Sequence, residues 1–401
     1  MNMIRKSILA ALLLAAACPA LPAEAGPRAG TYPWERRAGR PTASDAVLCY
    51  GNSHHRNPYL WDERRFEPYV TYVDEQGREQ WLFDGFIFLE SQDMDRPDKR
   101  NYTYMTGVLR DQGLAAGKEQ WQELIDYYFA RGNCVDALDK AVGAAEERLG
   151  EAPVKRRVFI VVPDPIIYHH WIDPMTSTTY WGEIDGRRLD FIRTEDRMAA
   201  CRWYIDTVRE AFARGKYENV ELAGFYWLRE TAAQPEDTEY SYHLTRSDAL
   251  LPQIADYLHG LNYSFIWIPY YDARGYDDWR DFGFDQVYLQ PNHYWKPEND
   301  MDDVCRWINR AGTSIEFEFE ASILSADPHS DIYRARMRKY MEYAKKHGIY
   351  GTRPLAYYQG SNALYDLSVS TDETDREFFH EFCSFVVNNP VRTQHSGKGN
   401  K

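Results

Sequence analysis

The sequence predicts one (β/α)8 barrel, and three observations carry that prediction. Eight short apolar runs alternate with segments of helical period along the chain. The runs are apolar almost throughout, which suits parallel strands covered on both faces. The first run is not followed by Gly-x-Gly-x-x-Gly, which argues against the runner-up, a doubly wound open sheet. A length of 401 residues suits such a barrel with insertions.

The elements follow in order. The first strand is expected over Ala46–Tyr50 and the second over Phe83–Leu89, followed by a polar insertion around Arg96-Pro97-Asp98-Lys99. Lys118–Ala130 and Val135–Leu149 have the apolar spacing of helices. Val158–Val162 is the third strand, stopped by Pro163 and Pro165. Thr194–Arg214 reads as a helix with Thr194 as its N-cap. Val220–Trp227 is the fourth strand, and Arg246–Leu258 the helix after it. Phe265–Pro269 and Gln286–Gln290 are the fifth and sixth strands, with helix Met301–Arg310 beyond them. Ser314–Phe319 is the seventh strand, before helix Ile332–His347, which Gly348 ends. Pro354–Tyr358 is the eighth, and Thr371–Asn388 the last helix.

Outside this repeat the chain changes character. Residues 1–25 read as a secretory leader: Arg5 and Lys6, the apolar run Ile8–Ala17, then Ala23-Glu24-Ala25 before Gly26. That run is too short to span a bilayer, and no later segment reads as a transmembrane span. A secreted or periplasmic protein is expected. The alternative is a lipid anchor at Cys18, although Ala15-Ala16-Ala17 makes a poor lipobox. Residues 26–45 read as a lead-in, 46–390 as the barrel and 391–401 as a disordered polar tail.

Charge excludes one class of partner. The chain has 61 acidic against 47 basic residues and a formal net charge of −14, so phosphate backbones repel it and nucleic acid is not expected to bind. The five cysteines past the leader (Cys49, Cys134, Cys201, Cys305 and Cys383) are scattered without Cys-x-x-Cys. They read as mostly buried thiols with room for at most one or two disulfides. Aromatic residues are abundant: 12 Trp, 30 Tyr and 18 Phe. Many fall in expected loops, among them Tyr168, Trp171, Tyr180, Trp181, Tyr240, Tyr242, Tyr270, Tyr271, Tyr276, Tyr294 and Trp295. They either pack those loops onto the barrel or stack on sugar rings.

The chemistry concentrates on two strand ends. Glu230 stands three residues past Trp227, where the fourth strand exits. Glu316, Glu318 and Glu320 share one parity along the seventh, and Phe317 and Phe319 take the other. With a period of two, the phenylalanines meet the helices while the glutamates line the barrel axis, Glu316 deepest. Buried carboxylates are costly unless something uses them. Two carboxyls facing across a barrel mouth suit glycoside hydrolysis: one protonates the leaving oxygen, and the other attacks the anomeric carbon or activates water. Apolar neighbours such as Phe225 and Trp227 would keep the donor protonated.

These residues resemble a known family. Gly-Phe-Tyr-Trp-Leu-x-Glu ending at Glu230, Trp-x-x-x-Gly-Phe-Asp over Trp279–Asp285, Gln290-Pro291-Asn292 and the Glu-Phe-Glu of the seventh strand look like the DUF4855 family of secreted bacterial proteins, across Ala46–Asn388. More distantly, the acid after strand four and the carboxylate on strand seven resemble the retaining (β/α)8 glycosidases of clan A. That resemblance implies Glu230 as acid/base and Glu318 as nucleophile. It departs at Arg229, where that clan carries Asn; Arg229 could instead meet a charged group of the substrate.

The supporting substrate contacts expected around the mouth are Arg229, Asp84, Trp227, Tyr271, Gln290, Asn292, Glu316, Glu320, Tyr358 and Gln359. No metal site and no cofactor is expected. His54, His55, His169, His170 and His293 follow strands, but neither His-x-His nor His-Glu-x-x-His occurs. No Gly-x-Ser-x-Gly elbow marks a serine hydrolase. A secreted glycoside hydrolase acting on an oligo- or polysaccharide is the reading these features support best. A carbohydrate-binding barrel without turnover, and a polysaccharide lyase with a Tyr or His base, are the alternatives from other classes.

Overall fold

The computed structural model describes residues 40–51, 60–94, 100–105, 113–167, 178–232, 249–360 and 362–392. Eight parallel strands close into a barrel in sequence order. They are β1 (Asp45–Tyr50), β2 (Gly85–Leu89), β3 (Arg156–Val162), β4 (Val220–Trp227), β5 (Ser264–Trp267), β6 (Gln286–Leu289), β7 (Ser314–Glu318) and β8 (Leu355–Tyr358). Closure is made where β1 pairs β8, with Ala46 opposite Ala356 and Val47 opposite Tyr357. All eight expected strands are present, each within two residues of its expected ends. The leader, most of the lead-in and most of the polar tail read from the sequence, with Cys18 and the histidines at 54, 55, 169 and 170, lie outside the described residues.

Helices cover the barrel: α1 (Glu63–Val70), α2 (Lys118–Tyr128), α3 (Cys134–Leu149), α4 (Thr194–Gly215), α5 (Leu251–Gly260), α6 (Met301–Ala311), α7 (Ser330–Lys346), α8 (Ala363–Val369) and α9 (Glu373–Val387). Aspartates start several of them. Asp62 accepts from the Arg65 amide, Asp300 from Asp302 and Asp303, and Asp372 from Thr374 and Asp375. The expected cap at Thr194 is corrected: Arg193 is the N-cap residue, and Thr194 is the first helical residue, accepting from Arg197. Helices α1 and α8 were not anticipated. At 8 and 7 residues they are too short for periodicity to stand out. Small sheets decorate the barrel: the hairpins Thr71–Val73 with Glu79–Trp81 and Tyr180–Ile184 with Arg187–Asp190, and a three-stranded sheet between β2 and α2.

Strand β4 contains an irregularity that matters for the site. Its pairing with β3 shifts between Leu222 and Gly224. Gly224 lies so close to β5 that a Cβ there would stand 2.2 Å from the Ser264 carbonyl oxygen. Past this point Tyr226 faces the barrel axis, while Phe225 packs on Tyr263 and Trp227 on Phe265 in the outer layer.

The N-terminal end of the barrel is tied by acids. Asp84, just before β2, accepts from the Ser44 and Asp45 amides at 2.8–3.0 Å. Asp285, just before β6, accepts from the Phe265 amide, from Arg40 and from His259. Tyr357 and Asn389 both donate to Asp45, whose carboxyl burial raises to about 7. Arg392 joins Asp45 to the Trp81 and Leu82 carbonyls. The five cysteines of the described residues are buried and free.

Candidate active site

A cavity of about 350 Å³ opens at the C-terminal end of the strands, where βα loops carry function in this architecture. Leu48 and Tyr50 come from β1, Tyr226 from β4, Glu316 and Glu318 from β7 and Tyr358 from β8; Glu230, Gln290, Asn292, Trp295 and Glu320 come from the following loops. Alternation along β7 does what period two requires. Glu316, Glu318 and Glu320 face the cavity, while Phe317 packs on Tyr340, Tyr357 and Phe385, and Phe319 on Phe382.

Each carboxyl has a different environment. Glu318 is 1% exposed, and its Oε2 accepts from the Tyr340 hydroxyl and the Asn292 amide, both at 2.6 Å. Asn292 turns that amide inward by adopting φ +56°, a left-handed conformation that Asn tolerates. Burial pushes Glu318 up to about 8 against the pull of these two donors, and the charges of Glu230 and Glu320 add to the rise. Glu316 lies deeper and is 2% exposed; its Oε1 is buried without a hydrogen-bond partner. Burial, then the charges of Glu318 and Glu230, hold it well above the usual carboxylate range. Glu230 is half-buried and accepts from the Gln290 side-chain amide at 3.1 Å, which also donates to the Ile268 carbonyl at 3.0 Å. Glu320, at the rim, accepts from the Tyr358 hydroxyl at 2.9 Å. Tyr358 packs edge-on against both Tyr50 and Trp295.

The structure therefore brings Glu230, Glu316, Glu318, Glu320, Gln290, Asn292 and Tyr358 to one cavity. Five other expected contacts do not line it, for reasons of position and parity. Asp84 is at the start of β2, at the opposite end of the barrel, holding backbone amides. Trp227 has outward parity and is buried against Phe265, so it is not the group that surrounds Glu230; Tyr226 is. Arg229 is 4% exposed and turns to Asp164 at 3.5 Å, while its carbonyl takes the Trp267 indole N–H at 2.6 Å. It braces the loop that carries Glu230. Tyr271 leans on Trp307 of α6, with its hydroxyl donating to Asn299. Gln359 is fully buried, accepting from the Tyr69 hydroxyl and the Leu364 amide.

Other residues of the site had weak signals or none. Tyr340 falls inside the expected helix Ile332–His347, and nothing in the sequence shows that its hydroxyl reaches Glu318. Tyr226 was accessible to parity, standing between two outward aromatics. Of the loop aromatics in described positions, Trp295 lines the cavity, whereas Trp181 is buried among Trp121, Phe191 and Trp203 and Tyr276 stacks on Trp307. His293 is buried, with Nδ1 on the Asn299 carbonyl at 2.8 Å.

A protein-family model described as "Domain of unknown function (DUF4855)" matches residues 45–384, and the chain belongs to that family. No curated protein matches it. Among solved structures it is similar to a double mutant of the Cellulomonas fimi endo-β-1,4-mannanase, at 9% identity and a TM-score of 0.38, covering 85% of this chain and 70% of that one. It is likewise similar to a cellulase in complex with an inhibitor, at 11% identity and a TM-score of 0.38, covering 84% and 92%. A mutant tryptophan synthase α-subunit from Pyrococcus furiosus matches at 7% identity and a TM-score of 0.32, covering 86% and 97%.

Proposed function

We propose that this cavity hydrolyses a glycosidic bond in an oligo- or polysaccharide. The observation that carries the reading is that Glu230, after β4, and Glu318, at the end of β7, line one cavity at the C-terminal end of the barrel strands. In this scheme Glu230 delivers a proton to the leaving oxygen. Glu318 attacks the anomeric carbon, or takes a proton from an attacking water. Two donors fix Glu318 Oε2, so the carboxylate keeps one orientation while its other oxygen meets the reacting carbon. The Gln290 amide aims Glu230 in the same way. Tyr50, Tyr358 and Trp295 offer aromatic surface to sugar C–H faces, and Asn292 offers a polar side chain for hydroxyls. The leader read over residues 1–25 supports action outside the cytoplasm.

The test is release of sugar from a panel of aryl-glycosides and plant and host glycans. Wild-type protein is expected to cleave at least one member, and Glu230→Gln to lose about a hundredfold or more of that rate. Equal rates in the two proteins would remove Glu230 from the mechanism. Binding without cleavage of any member would return the chain to a non-catalytic carbohydrate-binding barrel.

A further inference from the structure

Hydrolysis uses two carboxyls, and this cavity has four. Among the described residues that line it, Glu230, Glu316, Glu318 and Glu320 are acidic, and none is Lys, Arg or His. The nearest basic side chain along the chain, Arg229, is engaged by Asp164. Three of the four acids stand along and just past β7 and the fourth follows β4, and among the described residues no group of three could hold a metal ion. The deepest, Glu316, is 2% exposed, lines the cavity and leaves Oε1 without a partner. Fixing a carboxyl in that state costs free energy unless a ligand supplies a donor or an opposite charge. Beside it lies Tyr226, whose hydroxyl feels the charges of Glu230 and Glu316, with Tyr50 close by. Acids interleaved with Tyr and Trp make the environment that receives an organic ammonium, by charge-assisted hydrogen bonds and by cation–π attraction.

We propose that the sugar held in this cavity is an amino sugar with a free amine, its ammonium donating to Glu316 against the Tyr226 side of the wall. The sugar part of this statement rests on the hydrolase reading; the amine part rests on the lining itself. The positive charge offsets the mutual repulsion of the four acids and lets Glu316 ionise. An N-acetylated or wholly neutral sugar cannot do this.

The test is titration calorimetry near neutral pH with glucosamine and galactosamine, against glucose, galactose and N-acetylglucosamine, on the full chain. Both amines are expected to bind about tenfold or more tightly than their neutral and N-acetylated counterparts. Glu316→Gln is expected to erase that preference, bringing the amines to the affinity of the neutral sugars in the same variant. Glu320→Gln, altered at the rim, is expected to weaken the amines by a smaller factor, and serves if Glu316→Gln does not fold. Equal affinity for amine and neutral sugar, absence of amine binding, or a preference unchanged in whichever variants fold would overturn the proposal. Its failure is separable from failure of the hydrolase reading. Neutral glycosides cleaved in a Glu230-dependent way would sink the amine and leave hydrolysis standing. Amines bound with preference but no glycoside cleaved would do the reverse.

Discussion

At the scale of the residue, Glu318 carries the most consequence. Its ordinary value, also that of the unfolded chain, is 4.5, and in the fold it lies at about 8. A carboxyl raised in this way favours the folded state fully below the unfolded value, and that contribution is lost as pH rises through the folded one. Glu318→Gln keeps the shape and can still accept from Tyr340 and Asn292. It should therefore be more stable than wild type at pH near 8, by on the order of a few kcal/mol, and melt at a higher temperature there, with the gap closing towards pH 4.5. Thermal melts at the two pH values check this; a variant less stable at both contradicts it. The same shift governs activity. If Glu318 is the nucleophile or base it must be ionised, so kcat/KM of the free enzyme should climb as pH rises towards about 8. A fall over that interval would exchange the roles, making Glu318 the donor.

At the scale of the element, β7 and β4 show different degrees of legibility. The Glu-Phe-Glu-Phe-Glu alternation of β7 states its own geometry, because side-chain direction in a strand depends on parity alone. Strand β4 looks as simple, yet its shift near Gly224 and the direction of Trp227 depend on contacts with β3 and β5 that lie far away in the chain. Gly224→Ala would drive a methyl into the Ser264 carbonyl. It should cost roughly 1–3 kcal/mol or more of stability, readable by denaturant titration. Helix α7 was readable as a helix, but Tyr340 looked like any buried aromatic, because hydrogen bonding across 22 residues of chain leaves no local pattern. Tyr340→Phe removes one of two donors on Glu318. A fall of about tenfold in kcat with little change in melting temperature is expected from steady-state kinetics and a melt.

At the scale of the whole molecule, the two ends of the barrel have separate tasks. The acids before strands, Asp84 and Asp285, tie neighbouring strand starts through backbone amides. The acids after strands line the cavity. The expectation of Asp84 as a ligand contact fails because an aspartate beside a strand serves the cavity only at the strand's C-terminal end, and Asp84 stands at the start of β2. The Trp279–Asp285 stretch, part of the family resemblance, is likewise scaffold: Trp279 donates to Ala311, and Phe284 stacks on Phe265 and Trp267. Asp84→Ala should orphan the Ser44 and Asp45 amides and cost about 1–3 kcal/mol, while kcat/KM below the melting transition stays near wild type. The eight-fold alternation was legible because it repeats; the βα loops were not, because their aromatics serve packing more often than the cavity.

The pairing of Glu230 with Glu318 is tested most directly by kcat and substrate affinity of Glu318→Gln measured on the same substrate. A loss of about a thousandfold in kcat, with affinity within a few-fold of wild type, is the predicted result. A variant that turns over at the wild-type rate would contradict the assignment.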